Sequence, residues 1–405
     1  MRLLRIAVVF FVVAAVCRLA GGQGEGKKSR KAVIEFPVIK ELPNPFVFLD
    51  GSSVKTAKDW ERRRVEIKDL FEEYMYGHMP PKPQKMTVKK GERTTDEANK
   101  IIIQKLDVTL EHDGKSVTIA VTVALPMNAK EKVPVLIQSP PFAFGKKGGG
   151  SPAQRFKMYT DRGYAVAEFS WNSVAADNAR KGAIYTLFGD QIDTGTLMGW
   201  AWGISRVIDA LAEAVPEVDT TKVFVTGHSR NGKATLVAGA FDERIALTVP
   251  SHSGTGGLPP FRFVDEFAKR NGKTEALHNM ARAFPRWFHP KFGEFVDNVD
   301  RLPVDQHMLA ALVAPRALMN TEGLKDIWIN PEGAQLSHLA AKKVYTFLKA
   351  EDKISFRYRD VGHIPSTEDL LAYADYVFYA KKLPEAFGKT AYKEETKAFS
   401  WDVPK

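Results

Sequence analysis

The feature that most constrains this chain is the stretch Lys222–Ala240, which reads KVFVTGHSRNGKATLVAGA. Its β-branched and aromatic first residues predict a strand, and its small-residue end predicts a closely packed helix. Between them Ser229 lies in a tight polar turn, the context that lifts a serine hydroxyl off a sheet and aims a helix N-terminus at it. Gly227 and Gly232 flank the turn, where we expect a side chain to collide with neighbouring backbone. Ser229 is therefore a candidate nucleophile.

The turn departs from the common G-x-S-x-G pattern, because Asn231 stands where the second glycine is expected and Gly232 follows one residue later. Short motifs of this kind also occur in turns that have no catalytic function. A serine nucleophile needs a base, and the base needs an acid that orients it. The rest of the chain must therefore supply both in the right order.

Predicted strands and helices alternate along most of the chain, which favours an α/β fold with a mainly parallel sheet covered by helices on both faces, a three-layer sandwich. The predicted strands are Ile101–Leu110, Ser116–Leu125, Val133–Gln138, Tyr164–Phe169, Val223–Thr226, Ala246–Ser251, Arg316–Asn320 and Ile354–Asp360. The predicted helices are Ala57–Tyr76, Phe156–Arg162, Gly195–Ala212, Ala234–Ala240, Gly333–Leu348 and Thr367–Ala380.

Three other segments set the predicted domain organisation. Residues 1–22 combine a short basic start, an apolar run and a small-residue exit, which indicates a secretory signal peptide; an uncleaved anchor is the alternative. Residues 23–100 are predicted to be an N-terminal extension packed on the core of a catalytic domain, residues 101–405. Within that domain, residues 258–304 are far longer than a connection needs, so we predict an insertion that lies over the site as a lid.

Composition narrows the class of partner. The only cysteine, Cys17, lies in the predicted signal peptide, so we expect no disulfide in the mature protein, which favours a secreted or periplasmic bacterial protein. The 58 lysines and arginines are scattered and form no basic stripe with aromatic residues, so nucleic acid is not an expected partner. We also expect no membrane association after signal cleavage, and a monomer. The formal net charge is +10, and the lysines and arginines still exceed the acidic residues once Arg2, Arg5 and Arg18 of the signal are removed, which favours an acidic substrate.

The candidate base and acid follow the nucleophile in the order serine, acid, histidine that such a sheet requires. His363, in the sequence Val-Gly-His-Ile-Pro after the last predicted strand, is the candidate base; a surface loop histidine is the alternative. Asp326, just beyond the strand that ends at Asn320, is the favoured acid, and Glu322 is the alternative. The histidines are not spaced as zinc ligands and the chemistry needs no cofactor, so neither a metal nor a cofactor is expected.

Arg230 is the candidate oxyanion stabiliser. Its backbone N–H lies at the predicted helix N-terminus, and its guanidinium offers a second donor to a developing negative charge. The alternative is an arginine that only pairs with a carboxylate.

The segment GHSRNGK, Gly227–Lys233, resembles the G-C-S-R-x-G-K signature of the glucuronoyl esterases, carbohydrate esterase family 15, in bacterial members of which histidine can replace the cysteine. The resemblance extends over nearly the whole mature chain, including GTLMGWAWGISRVIDAL (Gly195–Leu211), SGTGG (Ser253–Gly257), LPVDQHMLAALVAPRAL (Leu302–Leu318) and DIWINPEG (Asp326–Gly333).

This resemblance implies an α/β-hydrolase that cleaves esters between 4-O-methyl-glucuronic acid of xylan and lignin alcohols. It implies Ser229 as nucleophile, His363 as base and Arg230 as oxyanion stabiliser, with Lys233 and Trp328 in contact with the glucuronate. Lys233 lies one helical turn past the serine, so both side chains can face one pocket.

One position departs from the family pattern. Many members carry their acid, a glutamate, just before the S-G-x-G-G segment, where this chain has His252. Other members carry an aspartate after the later strand, where Asp326 stands. His252 is left open as a filler, a substrate contact or a sign of altered specificity.

Three functions are compared. The first is a secreted serine esterase acting on uronic-acid esters of a plant or algal polysaccharide. The second is an acetyl-polysaccharide or broad esterase, against which Arg230 and Lys233 argue, because an acetyl group offers two cations nothing acidic. The third is a non-catalytic carbohydrate-binding protein, against which Ser229 and His363 together argue.

Overall fold

Nine strands form a single sheet in the computed structural model, which describes residues 36–140, 152–393 and 398–405. The strands are β1 (Lys85–Asp96), β2 (Ile101–His112), β3 (Lys115–Pro126), β4 (Val133–Gln138), β5 (Ala165–Phe169), β6 (Val218–His228), β7 (Ile245–Ser251), β8 (Ala317–Gly323) and β9 (Ile354–Arg359). Their order across the sheet is β1-β2-β3-β5-β4-β6-β7-β8-β9. The six strands from β5 to β9 in that order are parallel, whereas β1, β2 and β3 pair antiparallel with their neighbours.

Eleven α-helices lie in the described part of the chain. They are α1 (Ala57–Phe71), α2 (Pro152–Thr160), α3 (Trp171–Val174), α4 (Ala183–Phe188), α5 (Thr196–Ala214), α6 (Arg230–Phe241), α7 (Val264–Asn271), α8 (Leu277–Ala283), α9 (Gln306–Ala311), α10 (Pro331–Phe347) and α11 (Thr367–Tyr379). None of the helices in these described ranges is long and apolar enough to span a membrane.

Helices cover the sheet on both faces. On one face, Phe156 of α2 and Leu371 of α11 lie in one buried cluster with Leu136 of β4 and Leu247 of β7. Thr248, the next residue along β7, points to the opposite face and contacts α6, because successive side chains of a strand alternate. Strands that are buried on both faces carry apolar residues at nearly every position. The sequences of the central strands therefore show no clear alternation of apolar and polar residues.

The α/β fold with a mainly parallel sheet is confirmed, and every predicted strand and helix overlaps an observed one. Helix Ala57–Tyr76 is present as α1 followed by a π-helical turn, Glu72–Tyr76. Among the described strands, β1 alone lacks a predicted counterpart, because its sequence KMTVKKGERTTD has few apolar residues that could alternate. It is a largely exposed edge strand, lies within the predicted extension of residues 23–100, and pairs with β2. The predicted signal peptide, residues 1–22, lies outside the described residues.

The predicted insertion, residues 258–304, contains α7, α8 and two short 3₁₀ helices. Within it Phe288 stacks on Phe292 with ring centroids 4.4 Å apart, and Phe288 also stacks on Tyr76, outside the insertion, at 6.0 Å. At its base, the buried Arg262 pairs with the buried Asp305 at 3.1 Å between Nη1 and Oδ2. Burying such a pair is tolerated because its remaining donors are satisfied, here by backbone carbonyls that include that of Leu302. These contacts join the start of the insertion to its end, and the role of the insertion as a lid stays a prediction.

The packing of α6 on β7 is tight enough that adding one methyl group to a glycine of α6 should destabilise the protein. A Cβ at Gly239 would lie 2.2 Å from Thr248 Oγ1, so we expect Gly239→Ala to destabilise the protein by about 1–3 kcal/mol through overpacking. Urea denaturation measures this difference. Gly293→Ala is the matched control, because a Cβ there meets no atom within 4 Å. An unfolding free energy of Gly239→Ala equal to that of the wild type would contradict the described packing.

Candidate active site

The carboxyl ends of β6, β7 and β8 bring the candidate residues to one edge of the sheet. The register pairs His228 with Ser251 and Ser251 with Thr321. The residues that follow these positions therefore lie side by side: Ser229 after β6, His252 after β7, and the segment that leads to Asp326 after β8. Ligands of open α/β sheets bind at this edge.

Ser229 joins β6 to α6 in a strained conformation, with φ 61° and ψ −124°. A non-glycine residue at positive φ is unfavourable and persists only where the surroundings enforce it. Here the Ser229 N–H donates to Ser251 O at 2.9 Å. A Cβ at Gly227 would lie 2.5 Å from the Asn231 carbonyl carbon, and one at Gly232 would lie 2.8 Å from Ser251 O. Both glycines are needed for the close approach that the sequence predicts.

The candidate base and acid are in direct contact. His363, in the loop after β9, lies with Nδ1 2.5 Å from Asp326 Oδ2, and 39% of its side chain is exposed. Its ring centroid is 4.2 Å from that of His228, the residue before the candidate nucleophile. Within the described residues no hydrogen bond joins Ser229 Oγ to His363, and such bonds often form only when substrate is bound. The contacts of Asp326 and His228 nevertheless bring the base to the turn at Ser229.

His252 makes a contact that none of the three hypotheses for this residue predicted. It is fully buried, and its Nδ1 lies 2.9 Å from the same Asp326 oxygen that contacts His363. Its backbone has a left-handed φ of 47°, held by a hydrogen bond from its N–H to Thr321 O. Its place directly after the strand next to β6 is the signal that could have indicated a role at the site.

Two imidazole donors keep Asp326 ionised. Burial alone would raise the pKa of Asp326, but the hydrogen bonds from His252 and His363 outweigh it and lower this pKa to about 2. Burial, with the two neighbouring imidazoles, lowers the pKa of His228 to about 3, and burial also lowers the pKa of His252. An ionised carboxylate that accepts from an imidazole N–H is the arrangement that orients a catalytic histidine.

Glu322, the alternative acid, has a different environment. It is fully buried at the end of β8 and makes no hydrogen bond to His363 in the described structure. Burial, and then the charge of Asp326, raise the pKa of Glu322 well above its usual value. The geometry therefore favours Asp326 as the partner of the imidazole.

Arg230 forms an ion pair with a carboxylate, which was the alternative interpretation of this residue. Its guanidinium pairs with Asp177 and lies 5.2 Å from the ring centroid of Trp287. Trp287 Nε1 in turn donates to Asp177 Oδ1 at 2.7 Å. Neither Asp177 nor Trp287 was predicted as a site residue, since both are far from Arg230 in sequence. The role of Arg230 as an oxyanion donor stays a prediction.

Lys233 is buried and its ammonium has two partners. Nζ donates to Glu275 Oε2 at 2.8 Å and to Thr255 O at 2.7 Å. Burial lowers the pKa of Lys233, and the Glu275 carboxylate opposes that shift. Trp328 lies nearby in the structure, because its carbonyl accepts from the Glu275 N–H at 2.8 Å, and it is 41% exposed. These residues are where a substrate contact is predicted, and Glu275 is an unpredicted member supplied by the insertion.

The structure also groups three histidines that their spacing does not associate. One ring nitrogen each of His228, His252 and His363 lies within 4.8 Å of the others, close enough for the three to hold a metal ion. The expectation that no metal binds was based on spacing along the chain, which does not reveal this cluster.

Comparisons with known proteins agree with this geometry. A sequence model of the family described as "Glucuronyl esterase, fungi" matches residues 108–349. The chain is 33% identical over 332 residues to the 4-O-methyl-glucuronoyl methylesterase of Podospora anserina. That match covers 80% of this chain and 64% of the relative, so the chain spans less than two thirds of that protein's length.

Solved structures show the same fold. A carbohydrate esterase family 15 glucuronoyl esterase from Caldicellulosiruptor kristjansonii is 36% identical, with a TM-score of 0.78 over 91% of this chain and 99% of that one. A glucuronoyl esterase from Sporotrichum thermophile, solved as a serine-to-alanine variant with methyl 4-O-methyl-β-D-glucopyranuronate, is 26% identical, with a TM-score of 0.73 over 89% of this chain and 93% of that one. With a family match over more than half of its residues, and with the α/β-hydrolase fold of these structures, the chain belongs to the glucuronoyl esterase family.

Proposed function

We propose that this protein is a serine-type carboxylic-ester hydrolase that cleaves esters of glucuronic or 4-O-methyl-glucuronic acid in xylan–lignin or a related polysaccharide. The observation that carries the proposal is the contact of His363 with Asp326 beside the strained turn at Ser229. The names of the similar proteins, glucuronoyl esterases and methylesterases, support the substrate class.

In the proposed reaction Ser229 Oγ attacks the ester carbonyl while His363 Nε2 accepts its proton. Asp326 accepts a hydrogen bond from the Nδ1–H and so stabilises the imidazolium. The imidazolium then protonates the departing alcohol. Water, activated by the same imidazole, hydrolyses the acyl-enzyme and releases the uronic acid. The Arg230 N–H, which opens α6 without an intrahelical acceptor, donates to the oxyanion, and the guanidinium adds positive charge.

The insertion is proposed to shape the sugar subsite rather than the reacting centre. It supplies Glu275, which pairs with Lys233, and Trp287, which contacts Arg230. The reacting ester is neutral whichever acid forms it, and every ester forms the same oxyanion. The proposed selection of a uronate therefore comes from contacts of the sugar with the subsite, and the two cations stabilise the oxyanion. We also propose a secreted or periplasmic monomer, on the basis of the predicted signal peptide.

The first prediction tests the nucleophile and the substrate class together. We expect hydrolysis of benzyl glucuronate in preference to p-nitrophenyl acetate, with kcat reduced about 10⁶-fold in Ser229→Ala because no nucleophile remains. Steady-state assays on both esters measure this preference. Ser116→Ala, at an exposed serine of β3, is the control and keeps wild-type rates.

Two outcomes would count against the proposal. Hydrolysis of the acetate alone would exclude the uronate substrate and leave the acetyl-esterase alternative. Turnover of either ester that survives in Ser229→Ala would exclude the serine mechanism.

The second prediction separates the two candidate acids. Asp326→Asn should lower kcat about 10⁴-fold, because an amide cannot stabilise the imidazolium. Glu322→Gln should keep kcat within a few-fold of the wild type, because Glu322 makes no hydrogen bond to His363. Single-turnover assays on benzyl glucuronate measure both, and a larger loss in Glu322→Gln than in Asp326→Asn would reverse the assignment.

The third prediction uses the raised pKa of Glu322. This carboxyl is protonated in the folded protein and ionised in the unfolded chain once the pH exceeds the usual value of 4.5. The wild type therefore loses stability as the pH rises from there towards the folded-state pKa, because only the unfolded chain releases the proton. Glu322→Gln does not titrate, so its stability relative to the wild type should increase between pH 5 and pH 7.

Urea denaturation at both pH values measures this difference, with Glu385→Gln, at an exposed glutamate, as control. A stability difference between Glu322→Gln and the wild type that is the same at pH 5 and pH 7 would mean that the folded protein ionises Glu322.

A further inference from the structure

We propose that His228, His252 and His363 form a site for one divalent transition-metal ion of the zinc type, and that an ion bound there blocks ester hydrolysis. The three imidazoles come from the ends of β6 and β7 and from the loop after β9. The binding proposal does not depend on the proposed function; only its inhibitory consequence does.

The three imidazole rings lie close together. The ring centroids are 4.2 Å apart for His228 and His363, 5.4 Å for His228 and His252, and 5.5 Å for His252 and His363. One nitrogen of each ring lies within 4.8 Å of the others. Three zinc–nitrogen bonds of about 2.1 Å at tetrahedral angles place the nitrogens about 3.4 Å apart.

The contacts with Asp326 determine which ring nitrogens remain free to bind the proposed ion. Asp326 Oδ2 accepts from Nδ1 of His252 and from Nδ1 of His363, which leaves Nε2 of both rings as the free ligand atom. Metal-binding histidines almost always donate their other N–H to a carboxylate or carbonyl in this way. One aspartate here orients two ligands.

Two of the three ligand atoms lack any partner. Within the described residues, Nε2 of His228 and Nε2 of His252 are buried and make no hydrogen bond. A buried polar atom left without a partner is unfavourable, and such atoms require a physical explanation. A bound ion would satisfy both, and the partly exposed His363 would lie on the path by which it enters.

The ligand set selects the class of ion. Imidazole nitrogen suits zinc, copper and nickel, whereas magnesium and calcium require oxygen ligands. Three protein ligands leave a fourth position for water.

Binding and catalysis exclude each other at His363. The lone pair of Nε2 that would accept the Ser229 proton is the one that would bind the ion. An occupied site therefore removes the general base, so zinc acts as a reversible inhibitor that competes for one nitrogen.

The test is direct metal binding by the full chain prepared free of metal. Cobalt chloride is titrated while visible absorbance is recorded, since tetrahedral cobalt absorbs strongly there, and zinc chloride is titrated by equilibrium dialysis. We expect one ion per chain. His228→Phe and His252→Gln should each raise the dissociation constant at least about tenfold, and Asp326→Asn should raise it about 10–100-fold through lost orientation of the ligands. His278→Gln, at an exposed histidine of α8, is the matched control and should bind as the wild type.

The activity of the same samples tests the consequence. Zinc at the concentration that saturates binding should abolish hydrolysis of benzyl glucuronate, and a chelator should restore it. Equal affinity of the wild type, His228→Phe and His252→Gln would overturn the site, as would equal weakening in His278→Gln. Two variants are used so that misfolding of one, seen by circular dichroism, leaves the other informative. Binding by a chain that has no esterase activity even without metal would sustain the site and refute the proposed function; an active esterase that binds no zinc would do the reverse.

Discussion

Two imidazole N–H groups point at a single carboxylate oxygen of Asp326, and the candidate site depends on this arrangement. His363 Nδ1 lies 2.5 Å and His252 Nδ1 2.9 Å from Oδ2. These bonds connect the end of β7, the segment after β8 and the loop after β9 at one atom. They set the tautomer of both rings, because each Nδ1 must carry the proton, and so direct both Nε2 atoms away from the acid. They also account for the pKa of about 2 at a buried carboxyl, which stays ionised because its two donors replace the lost water.

The strained turn at Ser229 and the insertion are each held by their own set of contacts. Strain of this kind costs of order 1–3 kcal/mol and persists because the surrounding packing enforces it, here Gly227 against Asn231 and the hydrogen bond to Ser251. The insertion is fixed at its base by the buried pair Arg262–Asp305. From this base it presents Glu275 to Lys233 and Trp287 to Arg230 in the first turn of α6.

The sequence predicts those parts of the site that local pattern determines. A strand, a tight turn and a helix place Ser229, and the order of acid and base along the parallel strands places Asp326 and His363 at the same edge of the sheet. What it does not predict are partners set by long-range packing. Asp177 lies 53 residues before Arg230, and Glu275 lies 42 residues after Lys233. No local periodicity records which loop reaches which helix. β1 was missed for a different reason, since an exposed edge strand needs little apolar sequence.

His252 affects both the electrostatics and the chemistry of the candidate site. A carboxylate at position 252, beside Asp326, would place two carboxylates together, and like charges at that distance raise the pKa of one of them. At the buried Glu322, burial and then the charge of Asp326 raise the pKa of the carboxyl. An imidazole at position 252 removes the repulsion and adds a donor, so the acid can lie after β8. The same imidazole completes a group of three nitrogens. The contact that stabilises Asp326 is therefore also what makes this edge of the sheet competent to bind a metal ion.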